Sequence, residues 1–399
     1  MFGVSLFSVA SLTGGLAPSL VSLVISRAVQ GVAAAISTVT ALSIFATIYP
    51  EGAERNKAFG ILVAVLSAGF AAGSLTGGVL TASFGWRSVL FVNVPIGAVT
   101  AILAVKYLPN NPGRLPKGQL DLLGGLSVSA GILLLVYALT NAANVGFIST
   151  ETILPLGASI AVLVGFLFIE YRSKSPLLPL GFLRRGSVLA ANVLALIVAA
   201  ASGGLGFIVT IYLQQVLGYS ALSTGLAFLP AALIFLFVGG WGAPRLLNRF
   251  GLKPILLSSM ALIVIGNVLL TQISEQGSWL NVEPGAIFWS LGASIGFPAL
   301  FIAALAGTKP GEEGLASGLI TTSQRVGFPS GLAVLISIAS IVDPGPFMTT
   351  NQSTSIAQTV LGFRYAFIAA AVMTVIGLLI AFRIKTPKNN WQPQTPAPT

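Results

Sequence analysis

"LVISRAVQGVAAAI", residues 23–36, is apolar at both ends yet carries Arg27 and Gln30 one helical turn apart. The run around it, Leu20 to Ile48, has no proline and no acidic residue, so one long helix is expected. Its length exceeds the roughly 20 residues that cross a bilayer core. A charge at the centre of such a helix costs roughly 2.5–3.5 kcal/mol on insertion scales. The arginine therefore has to escape to the interface or face water inside the protein.

The rest of the chain is equally greasy. Of 399 residues, 55% are hydrophobic and 8% charged, against roughly 25% charged in a soluble domain. Mean hydropathy is +0.93. Such a chain cannot cover itself against water. Lipid admits only helices or closed barrels, and apolar runs this long favour helices, so an all-α polytopic membrane protein is expected.

Cysteine and histidine are both absent. That excludes disulfides and thiolate or imidazole metal sites, and no cofactor is indicated. The pI near 10.2 does not point to nucleic acid, because the basic residues are scattered between apolar spans. No GK dipeptide occurs, so no Walker-type loop is present. The first run lacks the basic flank and cleavage site of a signal peptide.

Twelve spans are predicted, near 2–16, 20–48, 57–82, 88–108, 121–142, 152–171, 187–216, 222–243, 254–273, 284–306, 315–341 and 361–382. With Met1 inside, sixteen Lys and Arg fall on cytoplasmic segments and only Arg87 and Arg364 on outer ones, while Arg27 and Arg325 lie within spans. This is the positive-inside pattern, with both termini cytoplasmic. Two longer Pro- and Gly-containing basic connections, 108–121 and 171–186, bracket two helices. The expected division is 1–108, a four-helix bundle; 109–186, two linker helices; 187–385, a six-helix bundle; and 386–399, a disordered tail.

"GFAAGSLTGG" sets Gly69, Gly73 and Gly77 on one helical face with Gly78 beside them, for close packing or a moving interface. In "GWRSVLFVNVPIG", Trp86 and Arg87 suit the membrane edge, and Pro95 frees a carbonyl and bends its helix. In "GAPRLLNRFGLKP", Arg245, Arg249 and Lys253 recur every fourth residue across a turn at Gly251. They anchor the inner face or meet lipid phosphates and helix carbonyls. All ten acids lie in loops or near span ends, leaving no titratable group at mid-depth.

These stretches resemble the major facilitator superfamily, and within it the fourteen-helix drug–proton antiporters. "RAVQGVAAA" is similar to that family's fourth-helix motif at Arg27, Gln30 and Gly31, and "GFAAGSLTGG" to its fifth-helix motif at Gly69, Gly73, Gly77 and Gly78, with Ser74 where proline is usual. "PRLLNRFGLK" resembles its cytoplasmic-loop motif at Arg245, Arg249 and Gly251, with Asn248 where an acid is frequent. "GWRSVLFVNVPIG", "SPLLPLGFLRRGSVLAANV", "YLQQVLGYSALSTGLAFLP" and "GLASGLITTSQRVG" continue the likeness in order. The match sets residues 2–16 on the family's third helix, so the first two helices, where a coupling acid is common, have no counterpart.

The resemblance implies a monomeric plasma-membrane transporter, not an enzyme, exchanging protons for amphipathic or aromatic small molecules by alternating access. It implies a wet cavity bordered by Arg27 and Gln30, with Asn192, Thr210, Gln214, Gln215 and Trp289 as further lining. For Arg27 the alternative is snorkelling to the outer interface. For the chain it is a transport-incompetent or uncoupled remnant, sensor or scaffold of the same fold.

Overall fold

The computed structural model describes residues 1–48, 61, 65, 69, 72–73, 76–107, 121–173, 176–183, 187–305, 312–342 and 355–384. Among them there are helices and no strands. The chain opens with α1 (Phe2–Gly15) and α2 (Leu20–Ile48), and after helical residues 76–84 come α3 (Ser88–Phe91) and α4 (Asn93–Tyr107). Next are α5 (Leu122–Val145), α6 (Thr150–Arg172) and the single turn α7 (Leu180–Leu183). Then α8 (Val188–Ile211) runs into a π-helical segment, Tyr212–Val216. α9 (Ala221–Ala227) and α10 (Leu229–Ile234) lead to a second π segment, Phe235–Gly242, and to α11 (Ala243–Phe250). The last four helices are α12 (Leu252–Leu270), α13 (Trp279–Leu305), α14 (Glu313–Ser340) and α15 (Ile356–Phe382).

Nine helical stretches among the described residues are long and apolar enough to cross a membrane, and they coincide with nine of the expected spans. The first span is the 14-residue α1. The third falls largely outside the described residues. The eleventh is the 28-residue α14, whose polar run Thr321–Arg325 lowers its hydropathy. Three boundaries move by five residues or more, among them the start of the twelfth span, expected at 361, where α15 begins at Ile356. The eighth span, expected to end at 243, continues as helix through Pro244 and Arg245 to Phe250, because proline is tolerated in the first turn of α11. It stops at Gly251, whose φ of 79° suits a residue without Cβ. The tenth span was started at 284, but α13 begins at Trp279 and takes Glu283 inside.

α1 packs against α2, α3 and α4; α5 and α6 pair with each other; and α8 to α15 form the larger assembly. α14 touches both α5 and α2, tying the parts together. Asp121 caps α5 by accepting the Gly124 N–H (2.7 Å). At the end of α6, buried Glu170 accepts the N–H groups of Leu177 (3.3 Å) and Leu178 (3.0 Å), fixing the connection that follows.

Close approach between helices is achieved by glycine. A Cβ on Gly331 of α14 would lie 2.0 Å from the Ala200 carbonyl oxygen of α8, and one on Gly203 would lie 2.2 Å from that of Phe328. Gly266 of α12 and Gly285 of α13 face each other in the same way. Between membrane helices, where lipid is as apolar as the interface, this backbone contact supplies the van der Waals attraction.

The same clamp recurs in both halves. Arg87, just before α3, donates to the Ala17 carbonyl beyond α1 (3.2 Å). Arg364, near the start of α15, donates twice to the Ile273 carbonyl beyond α12 (2.9 and 2.6 Å). Each satisfies a carbonyl left over at a helix end. Arg364→Ala is expected to cost about 1.5–3 kcal/mol and to lower the melting temperature of detergent-solubilised protein. Arg87→Ala, losing one longer bond, should lower it less.

Candidate functional site

The charge that opened the problem is anchored by its own helix and its neighbour. α1 and α2 meet through small groups: a Cβ on Gly14 would strike Ser26 Oγ, and one on Gly3 would strike Ser37 Oγ. Gln30 lies on this buried seam, 2% exposed, and its Nε2 donates to Ser11 Oγ of α1. Its Oε1 accepts from Arg27 Nη1 (2.8 Å). Ser11, Gln30 and Arg27 thus form one chain of hydrogen bonds.

The direction of that bond matters. Arg27 is seven residues from the Leu20 end of α2, about 10 Å at 1.5 Å per residue. Cα–Cβ bonds tilt towards a helix N-terminus, which would aid escape to that nearer end. Gln30 instead lies one turn further into the helix, so the guanidinium is drawn inward.

The exposed surface of α2 has two faces. Val21, Ile25, Val32 and Ile36 align on one, all large, apolar and exposed. Roughly a third of a turn away lies a second face, which starts with the large, exposed Leu20 and Val24 and continues along the helix with Arg27, Gly31, Ala34, Ala35 and Thr38. From Arg27 onward this second face is small and polar. Gly31 is exposed, and a Cβ there would meet nothing within 4 Å. A lipid-facing surface and the arginine's surface are therefore separate on one helix.

Gly69, Gly73 and Gly77 are also open, with nothing within 4 Å of an added Cβ among the described residues, whereas a Cβ added to Gly78 would come to ordinary contact distance (3.6 Å) from the Ala221 carbonyl at the start of α9. Ser74 lies outside the described residues. Pro95 is exposed in the first turn of α4, after a break between Phe91 and Asn93, and the Asn93 amide donates to the Val89 carbonyl (3.3 Å).

The remaining residues sit apart from Arg27. Asn192 is buried, donating to the Val188 carbonyl (2.8 Å) and accepting from Ser323 of α14 (3.0 Å). Thr210 donates to the Gly206 carbonyl (2.7 Å). Gln214 and Gln215 are exposed on the first π segment. Trp289 packs against both large apolar cores of the C-terminal helices, with its ring 6.0 Å from that of Phe235. Its indole N–H is buried and lacks a partner among the described residues. At the turn between α11 and α12, Arg245 donates to the Trp241 carbonyl (2.9 Å) and lies over its ring, Arg249 lies over Phe250, and Asn248 is exposed.

Two residues outside this selection also carry chemistry. Arg325 stands near the middle of the 28-residue α14, exposed, on the helix that touches α2. Its signal was the lone charge in "TTSQRVG". Glu283 is buried in the second turn of α13, one residue before the expected start of the tenth span at 284. A groove of about 320 Å³ between α12 and α15, lined by Val264, Val268, Ile368 and Val372 among others, is by contrast apolar except for Thr271.

Apolar helices of spanning length, joined by glycine seams and side-chain hydrogen bonds, define a multi-pass helical membrane protein. The chain belongs to the Major Facilitator Superfamily, whose sequence model matches residues 1–332. It is 33% identical over 391 residues to the cephamycin export protein CmcT of Amycolatopsis lactamdurans, covering 96% of this chain and 77% of that one. Identity to the puromycin resistance protein pur8 of Streptomyces alboniger is 33% over 385 residues, covering 95% and 75%. With the multidrug resistance protein Stp of Mycobacterium tuberculosis it is 31% over 342 residues, covering 85% of this chain and 62% of that one. The crystal structure of a peptide transporter, POT, superposes with a TM-score of 0.59 at 15% identity, covering 96% and 79%, a likeness of fold.

Proposed function

We propose that the chain is a secondary active transporter, a drug/proton antiporter that exports amphipathic small molecules, aromatic ones included, by alternating access. The observation that carries this reading is the inward-held guanidinium of Arg27 on a face of α2 distinct from its lipid-type face. Relatives described as export and resistance proteins agree with it. In this account residues 1–108 and 187–385 are the two bundles that rock, 109–186 contribute two linker helices, and 386–399 are a tail. Both termini face the cytoplasm of a cell membrane, and the unit is a monomer with no cofactor, no nucleic-acid partner and no enzymatic step.

Arg27 and Gln30 border the hydrated path, where the guanidinium attracts an anionic group or tunes a proton carrier nearby. The open glycine face at Gly69, Gly73 and Gly77 offers a surface over which a facing helix slides, with Gly78 at its end facing Ala221. Gln214, Gln215 and Trp289 supply polar and aromatic contacts to substrate on an otherwise apolar wall. Everted vesicles test the reading. Energised vesicles should accumulate ethidium, and a protonophore should abolish the accumulation. Accumulation equal to that of vesicles lacking the protein would support the scaffold or remnant alternative instead.

A further inference from the structure

Glu283 lies in the second turn of α13, inside a helix of spanning length, and is 8% exposed. Its Oε1 is fully buried and has no hydrogen-bond partner among the described residues. The carboxyl borders a small void walled by Val209 and Leu213 at the end of α8, Phe228, and Trp279, Val282 and Ala286 of α13. That void measures about 10 Å³, room for one water at most. Neither a drug nor a hydrated cation fits.

The polar groups around this end of the bundle are engaged elsewhere. Tyr212 of the π segment donates its hydroxyl to the Ser274 carbonyl (2.8 Å), and the Tyr219 hydroxyl accepts the Trp279 N–H (3.4 Å). Arg364 of α15 is turned to the Ile273 carbonyl. Glu275, in the connection between α12 and α13, is exposed. Among the described residues no cation therefore balances a charge on Glu283. A carboxylate among apolar walls with an unsatisfied oxygen takes up a proton rather than stay ionised. The walls that exclude water are also irregular: Leu213 belongs to the π segment, and Phe228 is the break between α9 and α10. Such interruptions are where helices rearrange.

We infer that Glu283 is a proton-binding site in the C-terminal helices, holding its proton while these walls are closed and releasing it to water when they part. On opening, the carboxyl O–H bond breaks, the proton passes to a water molecule, and the carboxylate stays behind, now hydrated. Closure reverses the exchange. The role in coupling rests on the antiporter reading; the proton site itself does not.

The test uses the full chain in liposomes. Infrared spectroscopy at neutral pH should show the C=O band of a protonated, buried carboxyl. Glu283→Gln should remove that band, and Glu283→Asp, which keeps the carboxyl, should retain a shifted one. No such band in the wild type, or a band that survives Glu283→Gln, overturns the inference. In everted vesicles with ethidium as probe, Glu283→Gln should lose the response to an imposed pH gradient; an undiminished response overturns the coupling role. Wild type that shows the band but moves no probe supports the proton site and overturns the antiporter reading alone.

Discussion

Arg27→Ala is expected to abolish transport without reducing the amount of protein in the membrane. The expected loss is at least about tenfold in initial rate, equivalent to 1.4 kcal/mol, read as pH-gradient-driven ethidium movement in vesicles with protein level matched by immunoblot. Insertion is not at risk, because removing the guanidinium removes an insertion cost of roughly 2.5–3.5 kcal/mol. A loss of activity with unchanged protein level therefore locates the effect in the working of the carrier. Arg27→Lys should rescue little. An ammonium lacks the planar fork of donors that lets one group hold Gln30 Oε1 and still face outward.

Gly331→Ala is expected to destabilise the C-terminal helices by about 1–3 kcal/mol, the cost typical of overpacking a tight interior. The new methyl would lie 2.0–2.4 Å from three atoms of the Ala200 residue, all of them backbone. Backbone cannot turn aside as a side-chain tip can, so α8 and α14 must separate. Gly206→Ala is the control: it lies on α8, and a Cβ there meets nothing within 4 Å. That change should be neutral or slightly stabilising. Thermal unfolding of both variants in detergent, followed by size-exclusion chromatography after heating, separates the two expectations. Equal melting temperatures would refute the close-approach argument.

Much of the membrane character was legible because length and apolarity act locally. The run from Leu20 to Ile48 is one helix, as its lack of proline and acid implied. The Arg27–Gln30 pair was legible for the same reason, since residues three apart share a helix face. Ser11 was not, because it reaches Gln30 only through the α1–α2 packing, and a serine in an apolar run carries no address. Glu283 falls one residue outside the span expected from 284, because the helix starts earlier and accommodates both Pro284 and Pro298. The two π segments had no signal in the sequence, because one extra residue per turn leaves composition unchanged. The seams at Gly203, Gly266, Gly285 and Gly331 required knowledge of which helices meet. The sequence reading instead singled out Gly69, Gly73 and Gly77, which stand open.

The proposed transport path requires water at one face of α2 and not at the other. The chain has no cysteine, so single thiols can be placed without removing native ones. Gly31→Cys lies one turn beyond Arg27 on the small, polar face, and Val32→Cys adjoins it on the face shared with Ile25 and Ile36. A charged, membrane-impermeant thiol reagent applied to proteoliposomes should modify Gly31→Cys and leave Val32→Cys unreacted. Two unreactive positions, or two equally reactive ones, would contradict a hydrated path along Arg27.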